Sequence, residues 1–485
     1  MLAKSVTTWL KWLLILAALL GAAAAEAKAP EQAYADCHAY SGDAVPLAQA
    51  GSLHWNCGGG WRDGAAVSWL RFPVAPRATL FVSRITMFRA IDIAALDAGG
   101  AMRVRHYTAR DARPVVDGAV FTLPLPPAHA DTRAWLVRIE RPHSVTVASE
   151  ARLSDGSLSA GSLIAVIILA LVAGMLVMPL LFDLNFYLVL RERFVLLHAA
   201  MVVAMIGYVL FSGGLLSAFV SPPLPLLAIG GPLTWAIGTG IGGLFIREFL
   251  EPGTLPKPID RTVLFASWWA MIVPGLCALQ LDATQPFDNS AYFYAYVPVI
   301  PTYCVAIAVA LMRSSRSARF LAIAWAPVIL ASCERLLRGV GFYAGPGSLD
   351  EGLFVALGIE VIIIALGVAD RFLSIRRERD LALSEARSLE ELSEREPLTG
   401  LFNRRALDDR FALFRAEGFS TLAVIDIDHF KQINDTHGHA VGDLVIKVVA
   451  RVLAHDADTL AFRIGGEEFL LLLRGRDAVD RAEAR

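Results

Sequence analysis

Long apolar runs alternate with short polar connections between Gly161 and Ala369. Seven of these runs, 161–182, 194–216, 226–246, 262–280, 291–312, 319–338 and 351–369, are long enough to cross or nearly cross a bilayer as helices. The pattern before this block is different. In residues 28–155, short apolar runs such as Ala78–Val82, Ala119–Leu123 and Ala134–Ile139 are separated by Pro, Gly and Asp. Few stretches there repeat at helical spacing, which predicts a small β-sandwich, jelly-roll-like in character. After the block, Arg371–Glu394 is charged and free of Pro and Gly, so it extends the seventh run as a helix. Ile375, Ala382 and Leu389 recur every seven residues, with Ala386 and Ser393 on a neighbouring line. This weak heptad favours a parallel dimer over a solvated linker. Farther on, Thr421–Ile425 reads as a strand ending at Asp426, and Leu460–Ile464 and Phe469–Leu473 flank Gly465-Gly466 as the arms of a β-hairpin.

Composition supports membrane residence. Hydrophobic residues make up 55% of the 485 and charged residues 19%, too apolar a balance for a soluble chain of two to four domains. Lys4 and Lys11, the apolar run Trp12–Leu20 and Ala22–Ala25 form the charged, apolar and small-residue order of a signal peptide, cleaved after Ala25 or Ala27. An uncleaved anchor is the alternative, and the short apolar run disfavours it. Arginine and lysine cluster after the first, third, fifth and seventh runs, at Arg191 and Arg193, at Arg247, Lys257 and Arg261, at Arg313, Arg316 and Arg319, and at Arg371–Arg379. The loop between the second and third runs carries no charge, and that between the fourth and fifth carries Asp282 and Asp288. The positive-inside rule then puts residues 28–155 outside and the C-terminal part in the cytoplasm. Cys37 and Cys57, the only cysteines outside the apolar runs, are expected to pair as a disulfide in an exported domain, with two free thiols as the alternative. Trp55, Trp61, Trp69 and His54 are either core aromatics or the lining of a ligand pocket. Glu334, Arg335 and Glu360 lie within apolar runs, where ionisable groups face the bundle interior or a cavity.

Candidate chemistry concentrates near the C-terminus. Arg463-Ile464-Gly465-Gly466-Glu467-Glu468-Phe469 places two carboxylates beside glycines whose backbone can lie close to a phosphate. About forty residues upstream is Ile425-Asp426-Ile427-Asp428-His429-Phe430-Lys431-Gln432-Ile433-Asn434-Asp435, followed by Gly438-His439 and Gly442-Asp443. Glu396-Pro397-Leu398-Thr399-Gly400-Leu401-Phe402-Asn403-Arg404-Arg405 precedes them all. These four motifs, in this order and spacing, resemble the GGDEF family of diguanylate cyclases over roughly the last ninety residues. With an exported β-rich domain and seven spans, the architecture also resembles bacterial seven-transmembrane receptors with diverse intracellular signalling modules.

The resemblance implies a multi-domain inner-membrane protein. Its parts are a signal peptide (1–27), a periplasmic sensor sandwich (28–155), a seven-helix transmembrane bundle (161–369), a signalling helix (370–394) and a cytoplasmic α/β GGDEF domain of nucleotidyl-cyclase, palm-like type (395–485). It also implies condensation of two GTP into cyclic di-GMP and pyrophosphate. Asp426, Glu467 and the Ile427 carbonyl match ligands of Mg2+ or Mn2+, while Glu468 and Lys431 match groups that orient the substrate and stabilise the transition state. Asn434, Asp443, His439, Phe430, Gly465 and Gly466 match substrate-binding positions. The implied partners are GTP, a second copy of the chain, the lipid bilayer and a small external ligand, carbohydrate among the candidates; nothing points to nucleic acid.

Two departures from the family pattern stand out. The inhibitory product site, Arg-x-x-Asp in the family, reads Asp456-Ala457-Asp458-Thr459 here, so product inhibition through it is not expected. The GGDEF region is also expected to be incomplete at its C-terminal end, exposing an unpaired sheet edge and slowing or abolishing turnover. Glu396 stands where Asp is usual, a milder change. The competing readings are a non-catalytic receptor that only binds nucleotide or a partner, and a transporter with a regulatory tail.

Overall fold

The computed structural model describes residues 32–485 except 43–44, 117–118, 158–159, 344–348 and 455. The expected signal peptide lies outside the described residues. The chain divides into two compact units between Phe372 and Leu373.

The first unit opens with ten strands in two five-stranded antiparallel sheets. One has the order β1 (Gln32–Tyr34), β10 (Arg152–Ser154), β4 (Leu80–Arg84), β8 (Val120–Pro124), β7 (Arg113–Val115). The other has the order β2 (Cys37–Ser41), β3 (Val67–Pro73), β9 (Thr132–Glu140), β5 (Ala90–Asp97), β6 (Met102–Tyr107). Alternate residues of β4 and β8 (Phe81, Phe121, Leu123) and of β3, β5 and β9 (Phe72, Ile91, Ile93, Trp135, Val137) share one buried cluster, so the sheets pack face to face. The far side of the second sheet buries Trp69, Val67, Ala94 and Leu136, with Trp55 at the margin. Trp69 is therefore core, Trp61 stacks on His38 with ring centroids 4.1 Å apart, and His54 is exposed. Cys37 and Cys57 form a disulfide that ties β2 to the loop before β3.

Helices follow: α1 (Ala160–Leu190), α2 (Arg193–Ser212), α3 (Leu224–Phe249), α4 (Lys257–Cys277), α5 (Asp288–Tyr294), α6 (Val299–Met312), α7 (Arg316–Gly339) and α8 (Leu349–Ser393). Among the described residues, six segments are long and apolar enough to cross a membrane, α5 and α6 counting as one. The remaining expected run, 262–280, is also helical, as α4, with Lys257, Asp260 and Arg261 at its start, and is not among the six. The run 291–312 is interrupted between α5 and α6, where Pro298 has no N–H to continue the ladder. Gly243 lets α3 pack closely, since a Cβ there would lie 2.2 Å from both Ser267 Oγ of α4 and Tyr303 OH of α6.

Polar side chains seat the sandwich on the helices. His143 Nδ1 and Asp288 Oδ2, both buried, are 2.7 Å apart. The Gln280 amide oxygen accepts from Thr86 Oγ1 and Met87 N, and its NH2 donates to Ala228 O at 2.7 Å. Gln285 donates to Pro142 O at 2.7 Å. In the first turn of α8, Asp350 accepts from Arg84 of β4 at 2.6 Å and from Arg338 of α7, with Arg335 Nε 4.0 Å away. Glu334 pairs with Arg338 at 3.0 Å.

The second unit is α/β. Its four-stranded sheet has the order β11 (Phe402–Asn403), β13 (Thr459–Arg463), β14 (Glu468–Arg474), β12 (Phe419–Asp426), with only the β11–β13 pair parallel. Strict alternation along β14 separates two cores. Phe469, Leu471 and Leu473 face Phe430 of α10 (Phe430–His437) and Ile446 and Ala450 of α11 (His439–Val452). Leu470 and Leu472 face Ala406 and Phe414 of α9 (Arg404–Ala416). β12 has a neighbour on one side only, and its Leu422 and Val424 are exposed.

The disulfide closes a loop of about twenty residues, which in the chain-entropy account contributes about 3 kcal/mol. A Cys37→Ser, Cys57→Ser double variant is expected to lose about that much stability in the sandwich transition on denaturant titration. A loss below about 1 kcal/mol would show that the loop is held by its other contacts.

Candidate functional site

The carboxylates gather at one end of the second unit's sheet. After a register shift between Phe419 and Thr421, β12 and β14 pair without interruption from Thr421↔Leu473 to Asp426↔Glu468, so the last residue of one strand sits opposite the first of the other. The β13–β14 loop, Ile464–Glu468, then passes this end and carries Glu467. Ile464 N and Gly465 N both donate to Glu468 O, at 2.9 and 3.3 Å, closing the loop. A Cβ on Gly465 would lie 2.4 Å from Glu468 Oε2, so glycine leaves room for this folded-back position of the carboxylate. Asp426 and Glu468 are exposed and Glu467 is half-buried. Among the described residues none of the three has an ion-pair or hydrogen-bond partner for its side chain.

Past Asp426 the chain turns into α10. His429 adopts φ 55°, a left-handed conformation uncommon for a residue with a Cβ, and Phe430 N donates to Ile427 O at 3.3 Å. The turn starts α10 beside the strand end, bringing its free first-turn N–H groups and the exposed, unpartnered Lys431 to the same region. Phe430 itself puts its ring into the core with Phe469, so only its backbone is left for a substrate. Asn434 lies against α11: a Cβ on Gly442 would be 2.0 Å from Asn434 Oδ1. Asp443, the next residue, and His439 at the start of α11 are both exposed.

Two carboxylates and a main-chain carbonyl (Asp426, Glu467, Ile427) are the hard oxygen donors that Mg2+ or Mn2+ takes. Uncompensated negative charge at Asp426, Glu467 and Glu468 fits a bound cation, as does the lone pair that Ile427 O retains beside its one hydrogen bond.

Sequence reading left Arg463 without a role. Its guanidinium donates to Gly466 O at 2.7 Å and pairs with Glu396 Oε1 at 3.0 Å, bracing the glycine loop against the segment before β11. Glu396 in turn accepts from Leu398 N at 3.1 Å, Thr399 N at 2.8 Å and Thr399 Oγ1 at 2.6 Å. The longer side chain, Glu in place of Asp, still completes this turn. A basic residue two positions before the first of the two glycines, with an acid in the opening motif, was the available signal. Burial acts to raise the Glu396 pKa, but the bonds from Thr399, Leu398 and Arg463 outweigh it and hold the carboxyl below its ordinary value.

A carboxyl with a depressed folded pKa stabilises above the unfolded value, and that stabilisation is lost as pH falls through the folded one. Glu396→Gln is therefore expected to cost about 1–2 kcal/mol at neutral pH, and less as the pH drops below the ordinary value of 4.5. Unfolding of the second unit, followed from pH 7 to pH 3 with an Arg463→Gln cycle, checks both the sign and the coupling; a pH-independent cost would contradict it.

Comparison with known proteins agrees with this geometry. Residues 165–371 match the family described as 7TM diverse intracellular signalling, and residues 393–485 match the diguanylate cyclase GGDEF domain. Over 106 residues the chain is 41% identical to the probable diguanylate cyclase DgcT of Escherichia coli K12, covering 21% of this chain and 23% of that protein. It is 46% identical over 103 residues to diguanylate cyclase DgcP of Pseudomonas aeruginosa, 18% of this chain and 15% of the relative. The chain thus spans less than a quarter of the length of these two relatives. A longer match, 32% identical over 261 residues, joins it to the probable diguanylate cyclase DgcC of Escherichia coli K12, with 49% of this chain and 69% of that protein covered. The chain belongs to the diguanylate cyclase family, as a member that combines a 7TM signalling region with a GGDEF domain.

Proposed function

We propose that this protein is a seven-span receptor cyclase of the bacterial inner membrane, which condenses two GTP into cyclic di-GMP and two pyrophosphates under control of its exported, jelly-roll-like sandwich. The observation that carries the reading is the group of three unpaired carboxylates, Asp426, Glu467 and Glu468, at one sheet end beside Lys431 and the Gly465 loop. The arginine-rich connections after alternate runs support a cytoplasmic position for this end.

Asp426, Glu467 and the Ile427 carbonyl hold the divalent cation. That cation supplies neutralisation of phosphate charge and acidification of the attacking 3′-hydroxyl. Lys431 and the first-turn N–H groups of α10 bind the phosphates, and Gly465 and Gly466 let the loop backbone approach them. Asn434, Asp443 and His439 orient the guanine, the carboxylate accepting from its ring N–H and amino group. Glu468 orients the substrate from the facing strand. Each unit holds one GTP, so two copies must meet for each 3′-oxygen to attack the α-phosphorus of the other nucleotide and expel pyrophosphate. The helix after the membrane block, α8, is the dimer element, and external ligand alters how often the half-sites meet.

A second reading is nucleotide binding without turnover.

Cyclic di-GMP formation from GTP and Mg2+, measured on membranes carrying the chain, separates the two. Turnover that falls at least about a hundredfold in Glu467→Gln supports the cyclase. GTP binding without product in either protein supports the second reading. In the cyclase, product is not expected to inhibit through 456–459. There Asp456 accepts from Asp458 N at 2.9 Å and pairs with Arg485, while Asp458 pairs with Arg474 at 2.9 Å, so the window's own side chains include no arginine to grip a phosphodiester. Product inhibition relieved by changing Asp456 or Thr459 would contradict this.

A further inference from the structure

At one end of the helices the turn between α6 and α7 is locked onto the loop between α3 and α4. Glu251 of the loop accepts from Ser315 Oγ of the turn, and from Ser317 N and Oγ at 3.0 Å each. Arg313 of the turn donates to Gly253 O of the loop at 3.2 Å. Around this joint the acids are taken up by internal partners. Asp260 of α4 accepts two bonds from Arg247, at 2.6 and 2.8 Å, and Asp370 of α8 accepts from Arg316. The cations are left over. Lys257, Arg261 and Arg319 are exposed, and among the described residues none of the three has an ion-pair or hydrogen-bond partner for its side chain. Arg313 is also exposed and has only the Gly253 carbonyl. Against these four stands the exposed Glu248 of α3. Large apolar side chains adjoin the same cations. Phe265, one turn beyond Arg261 on α4, is 67% exposed; Ile323, one turn beyond Arg319 on α7, is 63% exposed; Met312, directly before Arg313, is 77% exposed. Residues four apart share a helix face, so unpaired positive charge and bare apolar surface meet on two separate helices.

We propose that this joint is a binding surface for anionic phospholipid, with headgroups at Lys257, Arg261, Arg313 and Arg319 and acyl chains over Phe265, Ile323 and Met312. A water-soluble anion would satisfy the charge and leave those apolar side chains in water; an amphiphile with an anionic head covers both. Zwitterionic heads carry a cation beside each phosphate, which the arginines repel, so the surface selects heads of net negative charge. Withdrawal of Glu251, Asp260 and Asp370 into internal bonds is the device that keeps the patch positive. The two loops of the joint are held by hydrogen bonds, so their cations are presented together. This surface is separate from the outer sandwich and from the carboxylates of the GGDEF unit, and the inference does not depend on the cyclase reading.

Native mass spectrometry of the full chain, purified in detergent with equimolar phosphatidylglycerol and phosphatidylcholine of identical acyl chains, tests the proposal by counting the lipids retained. Phosphatidylglycerol is expected to outnumber phosphatidylcholine at least about fivefold. A variant with Lys257→Gln, Arg261→Gln, Arg313→Gln and Arg319→Gln is expected to lower that ratio at least about threefold. Arg105, Arg110, Arg113 and Arg133 of the sandwich are exposed as well. Changing those four to Gln removes the same charge and is expected to leave the ratio unaltered. Retention of neither lipid, equal retention of both, a preference that survives the first variant, or an equal loss in both variants would each overturn it. Should the fourfold variant fail to fold, the double variant Arg261→Gln, Arg319→Gln decides, with a fall of at least about twofold expected and an unchanged ratio overturning the proposal.

Discussion

A single carboxylate in the first turn of a 45-residue helix meets arginines from two other elements: Asp350 of α8 is held by Arg84 of the sandwich and Arg338 of α7. Ion pairs of this kind gain strength because the side chains are mostly withdrawn from water, with 12% exposure for Asp350 and 14% for Arg338. The rest of the first unit is arranged so that this contact can exist. The His143–Asp288 pair and the Gln280 and Gln285 hydrogen bonds seat the sandwich on the helix ends, which fixes where Arg84 points. Because α8 has no break before Ser393, its two ends are one element. The seating of β4 and the first turn of α8 are therefore linked directly through Arg84 and Asp350.

In the GGDEF unit the governing constraint is charge. Three carboxylates at one end of a sheet repel one another, and no basic side chain among the described residues neutralises them. Such an arrangement is disfavoured for stability and suited to a cation with polyphosphate. Arg463, the nearest basic residue in the chain to Glu467, is turned away to Glu396 and Gly466 O. The loop is thus braced by a charge that leaves its functional carboxylates free. His429 shows a related economy: a left-handed residue ends the strand's path and starts α10 within one turn.

Much of the architecture was legible in the chain itself. The continuous apolar run Phe469–Leu473 reads as a strand, here buried on both faces, and the glycine pair specified the loop before it. The Pro- and Gly-free stretch after Ala369 specified an unbroken helix. Motif spacing brought Asp426 and the Gly465 loop to one place, because a period-two strand of known length has only one register that keeps Ile425 and Phe469 on the same buried face. Less legible were features where composition is ambiguous. Apolar runs indicated helices, yet proline at 298 split one of them and charged residues at the start of α4 set another apart.

Sequence alone determined which segments are helix or strand and where the carboxylates and glycines of the motifs fall, because periodicity, glycine placement and charge are local properties. Tertiary structure decided the partners. That Arg463 belongs to Glu396, that Trp69 is core while Trp61 stacks on His38, and that Glu360 turns one oxygen to Trp325 all depend on which distant surfaces meet. No local pattern encodes that choice: pairing energies arise only after the chain has closed loops of tens to hundreds of residues and removed both partners from water.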